Sequence, residues 1–206
     1  MPEQAAREPV EWAVAMRCRH GETTSGDLAV VNLLPEGVLV AGIDGLGHGD
    51  EAARAARKAA EVLRESRSYD LVLLVERCHA ALKGTRGAAI SLAFVSPSES
   101  GVTWLGVGNV EGRLLSGDPS AMRPKGSLPL GNGVPGHELP AVKAATLDLR
   151  TGDVLVFATD GVGTAFADSL DISGSARAIS ERILAEHWKP LDDALVVAVR
   201  YLGVRP

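Results

Sequence analysis

Aromatic residues are scarce in this sequence: three Trp, two Tyr and three Phe in 206 residues, or 4%. Any core must therefore be mostly aliphatic side chains and alanine. There are two cysteines, Cys18 and Cys78, with neither CxxC spacing nor further cysteines around them. This excludes a disulfide framework and reads as two reduced thiols, with a cytoplasmic location expected. Positive charge is not in excess. Lys and Arg total 21 against 26 Asp and Glu, a net charge of −5, which argues against nucleic-acid binding through bulk charge. No apolar run reaches the roughly 18–20 residues that span a bilayer, so no membrane segment is expected. The amino terminus carries two early acids and no apolar stretch, unlike a secretory signal. Familiar catalytic signatures are missing as well. Without GxxxxGK[ST] or GxSxG, neither a P-loop NTPase nor an α/β-hydrolase is indicated. Gly131–Gly136 matches GxGxxG in letters, but no clear strand precedes it and Pro140 follows closely, so it is no dinucleotide fingerprint.

What is present suits a folded domain. Hydrophobic residues make up 46% of the chain, enough for a sizeable core, and the length fits one ordinary domain. We expect a polar extension over residues 1–9 and a single domain over 10–206. Val10–Cys18, Leu28–Leu34 and Val38–Ile43 read as strands, with Pro35-Glu36-Gly37 as a turn. The period then changes. Ala52, Ala55, Ala56, Ala59, Ala60 and Leu63 recur at three and four residues, an amphipathic helix with its basic residues outside. A second helix is expected over Asp70–Leu82. Ala88–Val95, Val102–Val107 and Gly112–Leu115 look like a meander, and Asp118–Pro140 like one long irregular loop. Lys143–Leu149 and Val154–Ala158 read as a hairpin, Ala176–His187 as a helix and Ala194–Leu202 as a last strand. Runs of strands separated by helices predict an α+β layered sandwich of antiparallel sheets covered by helices.

The chemistry is signalled by where aspartates fall. Asp44 ends a buried-looking strand, in Ile43-Asp44-Gly45-Leu46-Gly47-His48-Gly49. Asp160 ends another, in Ala158-Thr159-Asp160-Gly161-Val162. Asp192 and Asp193 stand immediately before the last strand, and Asp27 opens the second. Carboxylates are costly to desolvate without a partner. Gathered on one rim they repel, unless a hard divalent cation compensates. Oxygen donors with no Cys or His cluster point to Mg2+ or Mn2+. The glycine after Asp44 and after Asp160 suits a sharp turn and an accessible carbonyl.

In this order, Ser25-Gly26-Asp27, Asp44-Gly45-Leu46-Gly47-His48-Gly49, Thr159-Asp160-Gly161-Val162 and Asp192-Asp193 resemble the metal-dependent Ser/Thr protein phosphatases of the PPM or type 2C superfamily. The likeness is greatest to their compact bacterial SpoIIE-like branch, and within it to the phosphatases that reset the stressosome. It extends from about Val10 to Tyr201. It implies an α-β-β-α sandwich with two mainly antiparallel sheets, and hydrolysis of phosphoserine or phosphothreonine by a metal-activated water. By resemblance, Asp44 would bridge two Mg2+ or Mn2+ ions and the Gly45 carbonyl would bind the first. Asp160 and Asp192 would bind the second, with Asp193 the alternative register. Asp27 would hold metal-bound waters or a weaker third ion. The implied partner is a phosphorylated stressosome scaffold or STAS-domain protein, met by a monomeric enzyme.

The chain departs from that pattern at several positions. Leu46 stands where many relatives carry the His proposed to protonate the leaving alcohol, leaving His48 as a candidate substitute or substrate contact. Arg17, Arg19 and His20 are the candidates for an amino-terminal phosphate-binding residue, with Arg17 the first choice. Ser127-Leu128-Pro129-Leu130-Gly131 resembles a Pro-Leu-Gly loop of the family. There is no room for the flap subdomain of larger members, which implies a more open substrate site. A catalytically weak regulatory binding module and a small-phosphoester hydrolase are the alternatives.

Overall fold

The computed structural model describes residues 8–121, 125–167 and 170–203. Three strands come first, β1 (Val10–Arg17), β2 (Asp27–Leu34) and β3 (Gly37–Gly45), followed by α1 (Gly49–Glu65) and α2 (Leu71–Leu82). Then come β4 (Ala88–Ser96), β5 (Gly101–Val107), β6 (Glu111–Leu115), β7 (Gly126–Ser127), β8 (Leu130–Gly131), β9 (Ala145–Asp148) and β10 (Val154–Ala158). A 3-10 turn (Thr164–Ala167), α3 (Ala176–His187) and β11 (Ala194–Tyr201) complete the order.

Two sheets result. The first runs β1-β11-β10-β6-β7, and the second runs β2-β3-β4-β5-β8 with β9 also on β5. The pairings are antiparallel except β5 with β8. Between the sheets lie Val38, Val40, Trp104, Leu114, Phe157 and Val197. On the outer face of the second sheet, Ala55, Ala56, Ala59 and Leu63 of α1 pack with Leu74 and Cys78 of α2. Alanine on the packed face lets α1 lie close to the strands beneath it. The first sheet is covered by α3, whose Ile179 and Ile183 meet Val156 and Val196. The layers are therefore α-β-β-α, as expected. Two of the helices open on side-chain caps. The Asp70 carboxylate accepts the Val72 and Leu73 N–H groups at 3.1 Å to open α2, and the Ser175 hydroxyl accepts Ala178 N–H to open α3.

Three expectations are corrected. β4, β5 and β6 form no meander: β4 and β5 pair in the second sheet, but β6 pairs with β10 in the first. The crossing occurs at Gly108, whose φ of +98° suits glycine. There Ser91 donates its hydroxyl to the Val110 carbonyl at 2.6 Å. Nor are β9 and β10 a hairpin, since β9 joins β5 and β10 lies between β6 and β11. Asp153 organises that second crossing. Its buried carboxylate accepts N–H groups of Gly117 and Arg150 at 2.8 Å and the Lys125 ammonium at 2.6 Å. The expected Asp118–Pro140 loop is partly regular: it carries β7 to the first sheet and β8 to the second, with residues 122–124 outside the described residues.

Both cysteines are free. Burial pushes the Cys78 thiol up to about 12, which makes it an inert core residue. Of the expected extension, residues 1–7 lie outside the described residues, while the Pro9 carbonyl accepts the Leu202 N–H at 2.8 Å. Among the described residues no helix is long and apolar enough to cross a membrane.

Candidate active site

Strand register brings the first two aspartates together. β2 and β3 pair so that Asp27 stands directly opposite Asp44. Just beyond, the Gly45 N–H donates to the Gly26 carbonyl at 3.0 Å. The first sheet supplies the others: Asp160 follows β10, and Asp192 and Asp193 precede β11. The glycines after Asp44 and Asp160 both serve close approach; Asp160-Gly161 also form the expected turn, closed by the Val162 N–H donating to the Thr159 carbonyl at 3.0 Å, whereas Gly45 continues β3. A methyl group at Gly45 would overlap the Ala52 carbonyl of α1, and one at Gly161 would overlap the Asp193 carbonyl.

A cleft of about 270 Å³ opens where these ends meet. Asp44, Asp160 and Asp192 line it, together with Arg19, His48 and Asn109. Leu46 lines it too, at the position where a proton donor is absent. Asp27 lies beneath and is buried, its carboxylate accepting the Thr159 hydroxyl at 2.7 Å. Asp193 is also buried, and its two oxygens accept the N–H groups of Arg19 at 2.8 Å and Gly26 at 2.7 Å. Within the pair, Asp192 therefore faces the cleft and Asp193 ties the β1–β2 segment to β11. Arg17 is not at the cleft; its guanidinium lies over the Trp188 ring, 4.8 Å from the centroid. Arg19, two residues on, occupies the cleft wall. His48 sits on the rim with its Nδ1 3.2 Å from a Glu22 carboxylate oxygen, and it makes no side-chain cap to α1.

Two contributors were not singled out by sequence. Asn109 donates from Nδ2 to an Asp160 carboxylate oxygen at 2.6 Å. Lys189 donates its ammonium to the Asp160 carbonyl at 2.7 Å. The rule that flagged the aspartates, a carboxylate at a strand end, does not reach the amide of Asn109, although Gly108-Asn109 follows β5 in the same way.

The electrostatics are those of crowded carboxylates. Asp44 is pushed up to about 9, first by burial and then by the charges of Asp27, Asp160, Asp192 and Asp193. Asp27 is pushed up to about 7 by burial, against the opposing Thr159 hydrogen bond, with Asp193, Asp160 and Asp192 adding repulsion. Asp160 is raised by burial and by Asp192, while Lys189, Asn109 and the Gly161 N–H pull the other way. Among the described residues no three His, Cys, Asp or Glu side chains are gathered tightly enough to cage an ion by themselves. The donor set nonetheless fits hard cations: it is all oxygen, and each ionised carboxylate raises the cost of ionising the next until positive charge is added.

The sequence profile of Stage II sporulation protein E (SpoIIE) matches residues 35–202. The chain belongs to the SpoIIE family. Among curated proteins this SpoIIE-family chain is 26% identical over 155 residues to "Phosphoserine phosphatase RsbX" of Bacillus subtilis (strain 168), covering 75% of this chain and 76% of RsbX. Among solved structures it matches a chain from "The bacterial stressosome: a modular system that has been adapted to control secondary messenger signaling". That match has TM-score 0.84 and 29% identity, over 94% of this chain and 100% of the other. RsbX in complex with magnesium superposes with TM-score 0.82 at 23% identity, over 95% and 97% of the two chains. The Mycobacterium tuberculosis serine/threonine phosphatase PstP/Ppp shares the fold with TM-score 0.72 at 15% identity, over 94% and 99%. The SpoIIE-family chain thus has the architecture of the type 2C phosphatases.

Proposed function

We propose that the cleft hydrolyses phosphoserine or phosphothreonine in a partner protein, using two divalent cations, Mg2+ or Mn2+, as part of stress signalling. The carrying observation is the convergence of Asp44, Asp160 and Asp192 on one cleft that also holds Arg19 and His48. Family membership, the similarity to a phosphoserine phosphatase and the type 2C architecture support the reaction class. The stressosome chain at 29% identity supports a stressosome scaffold or STAS-domain protein as the partner. Residues 10–206 would act as one catalytic domain.

In this reading Asp44, the Gly45 carbonyl, Asp160 and Asp192 would hold the two cations, Asp44 serving both, the Gly45 carbonyl the first, and Asp160 and Asp192 the second. Bound there, the cations neutralise phosphate charge and supply a nucleophile at neutral pH. Asp27, buried behind Asp44, adds negative charge or holds waters. Asn109 and Lys189 fix Asp160 from its side-chain and main-chain oxygens. Arg19 presents its guanidinium to phosphate oxygens, a geometry to which a planar fork is suited. Leu46 cannot move a proton, so among the cleft residues not assigned to the cations His48, held by Glu22, is the candidate to hand a proton to the leaving alcohol.

Hydrolysis of para-nitrophenyl phosphate and of a phosphoserine protein, each with Mn2+ and with a chelator, tests the reading. We expect turnover of both with Mn2+ and none with the chelator. Hydrolysis indifferent to the chelator would overturn it, and capture of the phosphoprotein without turnover would indicate the regulatory module instead.

A further inference from the structure

Beside the carboxylate cleft lies a second cavity of about 400 Å³, within the range of roughly 300–1,000 Å³ common for ligand sites. The two share a wall, since Asn109 and Asp160 line both. The floor of the second is apolar: Val162 and Phe166 border it, each 2% exposed. At its lip stand Leu130 of β8, an exposed large hydrophobic residue, and Thr164 of the 3-10 turn. Three charged residues, Asp160, Glu111 and Lys189, line it as well. Lys189 donates to the Asp160 carbonyl at 2.7 Å, and Glu111 lies 3.4 Å from the Arg113 guanidinium while its buried Oε2 accepts no hydrogen bond among the described residues.

We propose that this cavity is a specificity subsite that receives an aliphatic side chain next to the phosphorylated residue of the substrate protein. The inference rests on the phosphatase reading of the adjoining cleft and extends it to the substrate sequence. Consecutive residues of a substrate lie about 3.8 Å apart at Cα, so a phosphate in the cleft leaves the neighbouring side chain beside the shared wall. An aliphatic group there covers Leu130 and displaces water from Val162 and Phe166. An acidic group would lose hydration against the same floor and face the Asp160 and Glu111 carboxylates of the wall. Asn132 and Thr164 add uncharged polar groups to the lining, which suit the main chain of a docked segment.

The test compares phosphoserine peptides that carry Leu or Asp on either side of the phosphoserine, with Mn2+, for the wild type and for Leu130→Asp and Thr164→Glu. Both substituted positions are exposed, and circular dichroism checks that each variant is folded. We expect the wild type to favour a Leu-flanked peptide by about tenfold or more in kcat/KM. Both variants should lose that preference through KM while keeping para-nitrophenyl phosphate turnover within about twofold. Equal kcat/KM for all peptides in the wild type, alongside normal aryl phosphate hydrolysis, overturns the subsite alone. A preference that survives both lip substitutions overturns it as well. Absence of aryl phosphate hydrolysis in the wild type overturns the phosphatase reading and the subsite with it.

Discussion

Asp44 is held where its charge is costly, and the same cost makes it a strong ligand. Its neighbours Asp27, Asp160, Asp192 and Asp193 all raise its pKa, so an added cation relieves several repulsions at once. Asp44→Asn should lower Mn2+-dependent turnover by more than about a hundredfold. It should also raise the melting temperature of the metal-free protein, because the fold no longer has to hold a carboxyl protonated far above its ordinary pKa. Near-wild-type turnover at saturating Mn2+ would refute the bridging role. Asp192 and Asp193 should part company. Asp192→Ala is expected to weaken Mn2+ binding in a calorimetric titration and leave the fold intact. Asp193→Ala strips partners from the Arg19 and Gly26 N–H groups and should cost about 2 kcal/mol of stability. If Asp193→Ala proves the more damaging to Mn2+ affinity while the protein stays folded, the register is off by one. Asn109→Ala leaves Asp160 without its 2.6 Å donor, and Mn2+ affinity should fall about tenfold. Unchanged affinity would reduce Asn109 to a lining residue.

Secondary elements were legible where the local pattern suffices. The alanine periodicity of α1, the interior of β3 and the full span of α3 can be read from residue spacing alone. Pairing partners were not. β5 is mostly apolar and β6 carries Glu111 and Arg113 among its five residues, yet nothing in either says that the chain changes sheet between them. The tie that decides the other crossing, Asp153 with Lys125, spans 28 residues. β7 and β8 have two residues each, too few for any period. At the site, Asp27, Asp44 and Asp160 could be singled out because a carboxylate beside glycine at a strand end is conspicuous, and Asp192 because an Asp pair stands immediately before the last strand. Asn109 and Lys189 lack that contrast, and Arg17 and Arg19 could not be separated before the end of β1 was known. Asp153 offers a test at this scale. It is 1% exposed, and Asp153→Ala removes three donors' acceptor at once. A loss of about 3 kcal/mol is expected from chemical denaturation, with Mn2+ affinity of the folded protein retained. A loss under about 0.5 kcal/mol would show that the crossing does not depend on this carboxylate.

For the molecule as a whole, the carboxylate cluster sets a pH dependence. Asp27 at about 7 and Asp44 at about 9 lie above the unfolded value of about 3.9. The folded, metal-free chain therefore binds more protons than the unfolded chain above about pH 4. Its stability should fall as pH rises through about 7 and toward 9. Melting temperatures in chelator should be higher at pH 5.5 than at pH 8.5, and Mn2+ should add more at pH 8.5, where the ligands have less proton to give up. The reverse order in chelator would mean that the cluster is better solvated than its burial indicates.

The aspartates are also divided between layers: Asp27 and Asp44 belong to the second sheet, whereas Asp160 and Asp192 flank strands of the first. Under the proposed assignment a cation is a rivet across the sandwich. Cohesion of the two halves and competence of the enzyme then become one mechanical variable, because slippage of one layer past the other pulls the donors apart. Stretched between anchors in β3 and β11, single molecules should rupture at higher force in Mn2+ than in chelator. The increment should vanish in Asp44→Asn, in which the rivet has lost its head.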